Sequence, residues 1–172
     1  NIGVTQLLDA IADLFPSPAD RPAVEGINPK TKEPVKRSPV ETEPFSAFIF
    51  KDIFDPYVGH LTLFRVFSGA IESNTGFYNS PRDLKERIGQ LFLVRGKTQE
   101  PVAQVIAGDI GGVAKLTATS TNDTLGGKDK PLSLAPMKFP LPAYGAAIYP
   151  KTKADLDKLG LVLPRLVEED PT

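Results

Sequence analysis

Short runs of branched and aromatic residues, each closed off by a turn signal, constrain this chain more than any other feature of its sequence. Six such runs stand out: Phe45 to Ile53, His60 to Phe67, Phe77 to Asn79, Ile88 to Arg95, Ile110 to Leu116 and Leu132 to Leu134. Between them lie Asp55-Pro56, Ser73-Asn74-Thr75-Gly76, Ser80-Pro81-Arg82-Asp83, Thr121-Asn122-Asp123 and Gly126-Gly127-Lys128-Asp129. Runs of this length suit strands, and the small polar residues between them suit tight turns. Alternation is clearest in two runs. Ile110, Gly112, Ala114 and Leu116 are expected on one face of a strand, and Ile88, Gln90, Phe92 and Val94 on one face of another. The 17 prolines and 14 glycines among 172 residues exceed the usual share of about 12%, which favours short strands over a helical bundle. The spacing predicts a mainly β fold whose sheet closes, or nearly closes, into an antiparallel barrel; closure also hides exposed strand edges. Phe45, Phe48, Phe50, Phe54, Phe64 and Phe67 are expected to pack its core.

The ends differ from this middle. Val4, Leu7, Leu8, Ile11, Leu14 and Phe15 recur at spacings of three and four, predicting a helix over 4–15 that stops at Pro16. A helix of about twelve residues is marginal by itself in water, so its apolar stripe calls for a partner, expected in a domain upstream of Asn1. Seven prolines, from Pro16 to Pro44, mark the next segment as an extended connector with a turn near Asn28-Pro29-Lys30. After Phe139-Pro140-Leu141-Pro142 the pattern predicts a strand over 144–149 and a helix over 153–167, kinked or ended early at Pro164. One strand and one helix bury no core, so a third domain is expected to continue beyond Thr172. The domain reading is therefore 1–16 as the end of an upstream domain, 17–40 as connector, 41–138 as barrel and 139–172 as the start of a truncated third domain.

Chemistry is constrained by absences. With no cysteine there is no disulfide framework or thiolate chemistry, and a single histidine, His60, leaves no multi-histidine metal site. His60 is expected at a surface or an interface. Twenty basic against 21 acidic residues give a net charge of −1, so contact with nucleic acid requires a local patch. Two patches exist. Lys30, Lys32, Lys36 and Arg37 are opposed only by Glu33 within their stretch; Arg82, Lys85, Arg87, Arg95 and Lys97 are opposed by Asp83 and Glu86. The second set is expected on one hairpin, projecting together toward a phosphate backbone. Gly96-Lys97-Thr98 echoes the end of a phosphate loop, but Leu91 stands where that loop needs a glycine, and Gln99-Glu100-Pro101 follows where a helix should start. A polar hairpin tip is the reading. Asp109-Ile110-Gly111-Gly112 is read as the start of a strand.

The wording then resembles a known family. The stretch from Lys51-Asp52-Ile53-Phe54-Asp55-Pro56-Tyr57-Val58-Gly59-His60 into Leu63-Phe64-Arg65-Val66-Phe67-Ser68-Gly69 is similar to the second, β-barrel domain of bacterial elongation factor G. So are Ala107-Gly108-Asp109-Ile110 and Asp123-Thr124-Leu125. Gly3 to Ala10 with Leu14-Phe15-Pro16-Ser17-Pro18 resembles the last helix of that family's GTP-binding domain, and Pro150 to Asp155 with Glu168 to Thr172 resembles the opening of its third domain. His60 stands where the family usually has arginine, and Leu93-Val94-Arg95-Gly96-Lys97-Thr98-Gln99 is closer in wording to elongation-factor-G-like paralogues. The resemblance implies a piece of a cytoplasmic, ribosome-associated GTPase. Its barrel would dock the GTP-binding domain of the same chain and touch small-subunit ribosomal RNA through Arg82, Lys85, Arg87, Arg95 and Lys97 during translocation. GTP and Mg would belong to the full-length parent, with no cofactor, metal site or catalytic residue in this stretch, and with neither membrane nor DNA as a partner. The rival is a free-standing barrel that binds oligonucleotide or protein.

Overall fold

The computed structural model describes residues 2–55 and 59–171; the Asp55-Pro56 turn signal and the Pro56-Tyr57-Val58 part of the family wording run beyond the described residues. The chain is mainly β. Its elements in order are α1 (Val4–Leu14), β1 (Val24–Ile27), β2 (Pro34–Arg37), β3 (Ser46–Asp55), β4 (Gly59–Ser68), β5 (Ala70–Glu72), β6 (Gly76–Asn79), β7 (Leu84–Arg87), β8 (Leu91–Arg95), β9 (Thr98–Val102), β10 (Gln104–Ile106), β11 (Ile110–Ala114), β12 (Thr124–Gly126) and α2 (Lys153–Glu169).

Eight strands form one antiparallel sheet in the order β7-β6-β12-β3-β4-β11-β8-β9. Its edge strands β7 and β9 do not pair with each other among the described residues, so the hydrogen-bonded ring of a closed barrel is not made. The short antiparallel pair β5–β10 stands apart, tied to β4 by bonds from Gly108 N–H to the Val66 carbonyl and from Ala107 N–H to the Gly69 carbonyl. A single core gathers side chains from most of these strands, including Ala47, Ile49, Phe64, Val66, Ile71, Phe77, Leu91, Val105, Val113 and Leu125. It puts the phenylalanines to two uses. Phe64 is fully buried in this core, whereas Phe48, with Phe50 and Phe67 partly buried beside it, belongs to a second cluster on the other face of β3.

That second cluster explains the proline-rich segment. Rather than an extended strap, residues 24–37 form the β1–β2 hairpin. Asn28 Oδ1 accepts from the Lys30 and Thr31 amides and closes its loop, which places the turn where the sequence puts it. Val24 and Val35 turn inward onto Phe48, Leu132 and Leu134. Leu132 to Leu134 is not a strand; it contributes one bridge, Ile27 to Ser133, and buries its leucines under the hairpin.

Two strand faces are shifted from expectation. In β11 it is Val113 that enters the core, with Ile110 half exposed. Leu116 nevertheless returns to the core, because Lys115 adopts a positive φ of 63° and breaks the alternation between them. Along 88–95, Ile88 and Leu91 are the buried pair; Ile88-Gly89-Gln90 lies outside the strand, and the phase restarts at β8.

α1 spans the predicted helix and buries none of its residues; Val4, Leu7, Leu8, Ile11 and Leu14 are all exposed. The segment 144–149 carries no strand. α2 neither ends nor breaks at Pro164 but continues to Glu169, started by a reciprocal cap in which the Thr152 hydroxyl accepts from the Asp155 amide and the Asp155 carboxylate accepts from the Thr152 amide. The carbonyl left without its helical donor by Pro164 is that of Gly160, four residues earlier.

Candidate nucleic-acid interface

The five basic residues named from the sequence sit on two hairpins at opposite ends of the strand order. Arg82, Lys85 and Arg87 belong to β6–β7 and its turn, Arg95 and Lys97 to β8–β9. The expectation that 82–97 forms one hairpin fails at Ile88, which is driven into the core, and at Gly89, whose carbonyl accepts from the Asn74 amide. These contacts end β7 and send the chain to the other edge of the sheet.

Within each hairpin the charges are used differently. On β7, Lys85 and Arg87 are two residues apart and share the exposed face, while Leu84 and Glu86 turn inward. Arg82 Nε lies 2.6 Å from Asp123 Oδ2, and its guanidinium donates to Ser120 Oγ at 2.5 Å, so its charge is paired with Asp123 although the side chain is partly exposed. Arg87 Nε donates to the Asn74 carbonyl at 3.1 Å. Arg95 lies 3.5 Å from Glu100 across β8–β9. Of these five, Lys85 and Lys97 have ammonium groups with no side-chain partner among the described residues and are left to meet an outside anion. Gly96, with φ of 60°, and Lys97 form the two-residue tip before β9, in keeping with the hairpin reading of Gly96-Lys97-Thr98. A strand follows where a phosphate loop would open a helix, so this tip does not build a phosphate cradle.

What sequence reasoning missed is a set of carboxylates that fasten one irregular segment, 116–124, between β11 and β12. Glu86 accepts from the Thr117 amide at 2.6 Å, the Thr119 hydroxyl at 2.6 Å and the Ala118 amide at 3.3 Å. Partial burial pushes its pKa up, but these donors outweigh that and hold the carboxyl below its ordinary value. Asp123 accepts from the Asn79 amide at 3.0 Å and the Ser120 amide at 2.9 Å. Asp52 is completely buried and accepts four bonds, from His60 Nε2, the Thr62 hydroxyl and both the amide and hydroxyl of Thr121. Tyr78 donates its hydroxyl to Asp83, which raises the Tyr78 pKa and fixes the β6–β7 turn.

His60 is thus a structural residue rather than a bare surface one. Its Nε2 lies 2.9 Å from Asp52, its Nδ1 lies 3.2 Å from the Leu116 carbonyl, and its ring stacks on Phe54 at 4.9 Å. Both nitrogens face acceptors, and whichever carries a proton donates to the one it faces. Phe54 in turn meets α2: the Arg165 guanidinium lies 5.6 Å from its ring, and its amide donates to Glu169 at 2.5 Å.

Comparison with known families matches this architecture in two successive blocks. Residues 44–128 match the family described as Elongation factor G domain 2, and residues 139–172 match Elongation Factor G, domain III. The chain belongs to the elongation factor G family. A crystal structure of a protein from Thermus thermophilus superposes with a TM-score of 0.74 at 26% identity, over 98% of this chain and 23% of that one. The chain therefore spans about a quarter of the length of that relative. Domain 2 of the family corresponds here to the eight-stranded sheet with its small β5–β10 annex, and the domain III match takes in α2. No helix among the described residues is long and apolar enough to cross a membrane.

Proposed function

We propose that this chain is the second domain and the beginning of the third domain of a cytoplasmic, ribosome-associated translational GTPase, acting as a rigid adaptor. The sheet domain docks the GTP-binding domain of the same protein and lays basic side chains on small-subunit ribosomal RNA while GTP turns over elsewhere in the parent. The observation that carries this reading is the succession of the two family matches, domain 2 at 44–128 and domain III at 139–172, in one chain. The exposed apolar stripe of α1 is available to the GTP-binding domain. GTP and Mg act in that domain. Lys97 at a hairpin tip and Lys85 on an edge strand supply mobile positive charge without internal partners, and RNA contact is by phosphate rather than by base.

The test is co-sedimentation of the full 172-residue chain with purified small ribosomal subunits at 50 and 200 mM KCl. The chain pellets at the lower salt and is released at the higher, and the Lys97→Glu variant, with its tip exposed and its fold unchanged, pellets less at 50 mM. A wild-type chain that stays in the supernatant at 50 mM KCl refutes the proposal.

A further inference from the structure

A groove on the β7 side of the sheet makes the RNA reading more specific and adds residues to it. Register places Lys85 of β7 opposite Tyr78 of β6, and Tyr78 opposite Gly126 of β12, in one row across three strands. Over this row runs an open groove of about 250 Å³, with Lys85 and Lys128 among its lining residues and Gly126-Gly127 contributing its bare backbone. A Cβ on Gly127 would meet nothing within 4 Å, so backbone is open to an approaching ligand there. Neither lysine has a side-chain partner among the described residues.

The acidic groups nearby are already engaged or lie beyond the groove. Glu86 lines it, but its carboxylate is turned onto the amides and hydroxyls of 117–119. Asp83 holds the Tyr78 hydroxyl. Asp129 is exposed next to Lys128 and does not line the groove. The Ser80 hydroxyl is buried, lacks a partner, and lies 4.0 Å from where a Cβ on Gly126 would stand. Tyr78 is 3% exposed, and no aromatic face is offered to a base.

We infer that this groove seats a stretch of RNA phosphodiester backbone, with Lys85 and Lys128 neutralising neighbouring phosphates across the Gly126-Gly127 floor. Two positive charges flanking the bare backbone of Gly126-Gly127 fit a narrow polyanion, and the absence of an exposed stacking surface makes the contact indifferent to base sequence. The inference rests on the ribosomal RNA reading and deepens it: Lys128, Gly126 and Gly127 join Lys85 as contact residues, and Arg82, held by Asp123, leaves the set.

The test uses the full chain and a fluorescein-labelled twelve-nucleotide uridine RNA, read by anisotropy between 50 and 200 mM KCl. Two phosphate contacts on a single strand make wild-type affinity fall about sevenfold more over that range than it falls for the Lys85→Gln/Lys128→Gln double variant. Gly127→Leu keeps every charge but fills the floor, and weakens binding at least threefold at 50 mM. Both lysines are exposed, and thermal unfolding unchanged from wild type verifies that the variants fold. If the double variant and Gly127→Leu bind like wild type while Lys97→Glu does not, the groove is overturned and the ribosomal reading survives on the β8–β9 tip. If polyglutamate of similar length binds with the same sensitivity to Gly127→Leu, the groove takes an acidic protein and the inference is likewise overturned. Loss of small-subunit co-sedimentation by the wild-type chain is a separate result that sinks the functional reading itself.

Discussion

Replacing Asp52 by alanine removes the acceptor of four hydrogen bonds from a site with no exposure at all. The Thr121 amide and the His60 ring nitrogen then face no acceptor in a largely buried setting. An orphaned buried donor costs about 1–3 kcal/mol. Several donors are orphaned together and their costs overlap rather than add, so the expected loss is about 2–4 kcal/mol, a large part of a small domain's stability. Asparagine separates the lost acceptors from the lost carboxylate charge. With its Oδ1 toward the Thr121 amide, its NH2 faces the Thr62 hydroxyl and His60. A neutral His60 that keeps its Nδ1 proton on the Leu116 carbonyl accepts from that NH2 through Nε2. Every group is then satisfied, only the charge is lost, and the expected cost of Asp52→Asn is about 1–2 kcal/mol. The measurement is equilibrium urea unfolding of the three proteins by far-ultraviolet circular dichroism, compared at equal slope. A loss below about 1 kcal/mol for Asp52→Ala, or equal losses for alanine and asparagine, would refute the account of Asp52 as the acceptor that satisfies these buried donors.

Two further expectations follow from other contacts. Glu86 has a folded-state pKa below its ordinary value of 4.5, so its contribution is fully present above pH 4.5 and is lost as pH falls through the lower, folded value. The stability gap between wild type and Glu86→Gln is therefore widest near neutrality and narrows below pH 4.5, which urea titrations at a series of pH values read directly; a gap unchanged down to pH 3 contradicts it. A Cβ on Gly111 would come within 2.7 Å of Phe64 Cζ and 2.9 Å of Val105 Cγ2, both in the fully packed core, so Gly111→Ala is expected to cost about 1–3 kcal/mol by overpacking. An unfolding midpoint equal to wild type would show that the core yields there.

Features that depend on neighbours in sequence were legible before the fold was known. The stripe at 4–15 and the one at 153–167 became helices because three-and-four spacing is local, and Gly96-Lys97 became a hairpin tip because turn chemistry is local too. Strand phase was less secure. The alternation in 110–116 points the wrong set inward, since one left-handed residue, Lys115, resets the count before Leu116. A register shift between Ile49 and Lys51 does the same in β3, and places Asp52 on the buried side opposite Thr62. Seven strands escaped the hydrophobic reading altogether. Among them β7 and β9 are edge strands made largely of polar residues, whose pairing rests on backbone bonds rather than apolar alternation. The charge cluster was visible, but its division between two sheet edges was not, because it turns on where Ile88 is buried. Lys128 was invisible as a partner of Lys85, since only the β7-β6-β12 order brings residues 43 positions apart to one groove.

The three buried or half-buried carboxylates share one consequence. Asp52 comes from β3, Glu86 from β7, and Asp123 lies within the segment they all hold, so 116–124 is fixed from both ends of the β7-to-β3 half of the sheet. A loop with this much irregular backbone would otherwise leave amides unsatisfied in a partly buried setting, and the carboxylates remove that cost by accepting from Thr117, Ala118, Ser120 and Thr121. The fixed loop then forms one wall of a cleft whose other wall is α2, at Leu161, Pro164, Arg165 and Glu168. His60 stands at the junction: one side chain joins the buried Asp52 to Phe54, and Phe54 joins the sheet to Arg165 and Glu169. A displacement imposed on α2 is passed to the strands only if the seat beneath it does not give, and these bonds hold that seat.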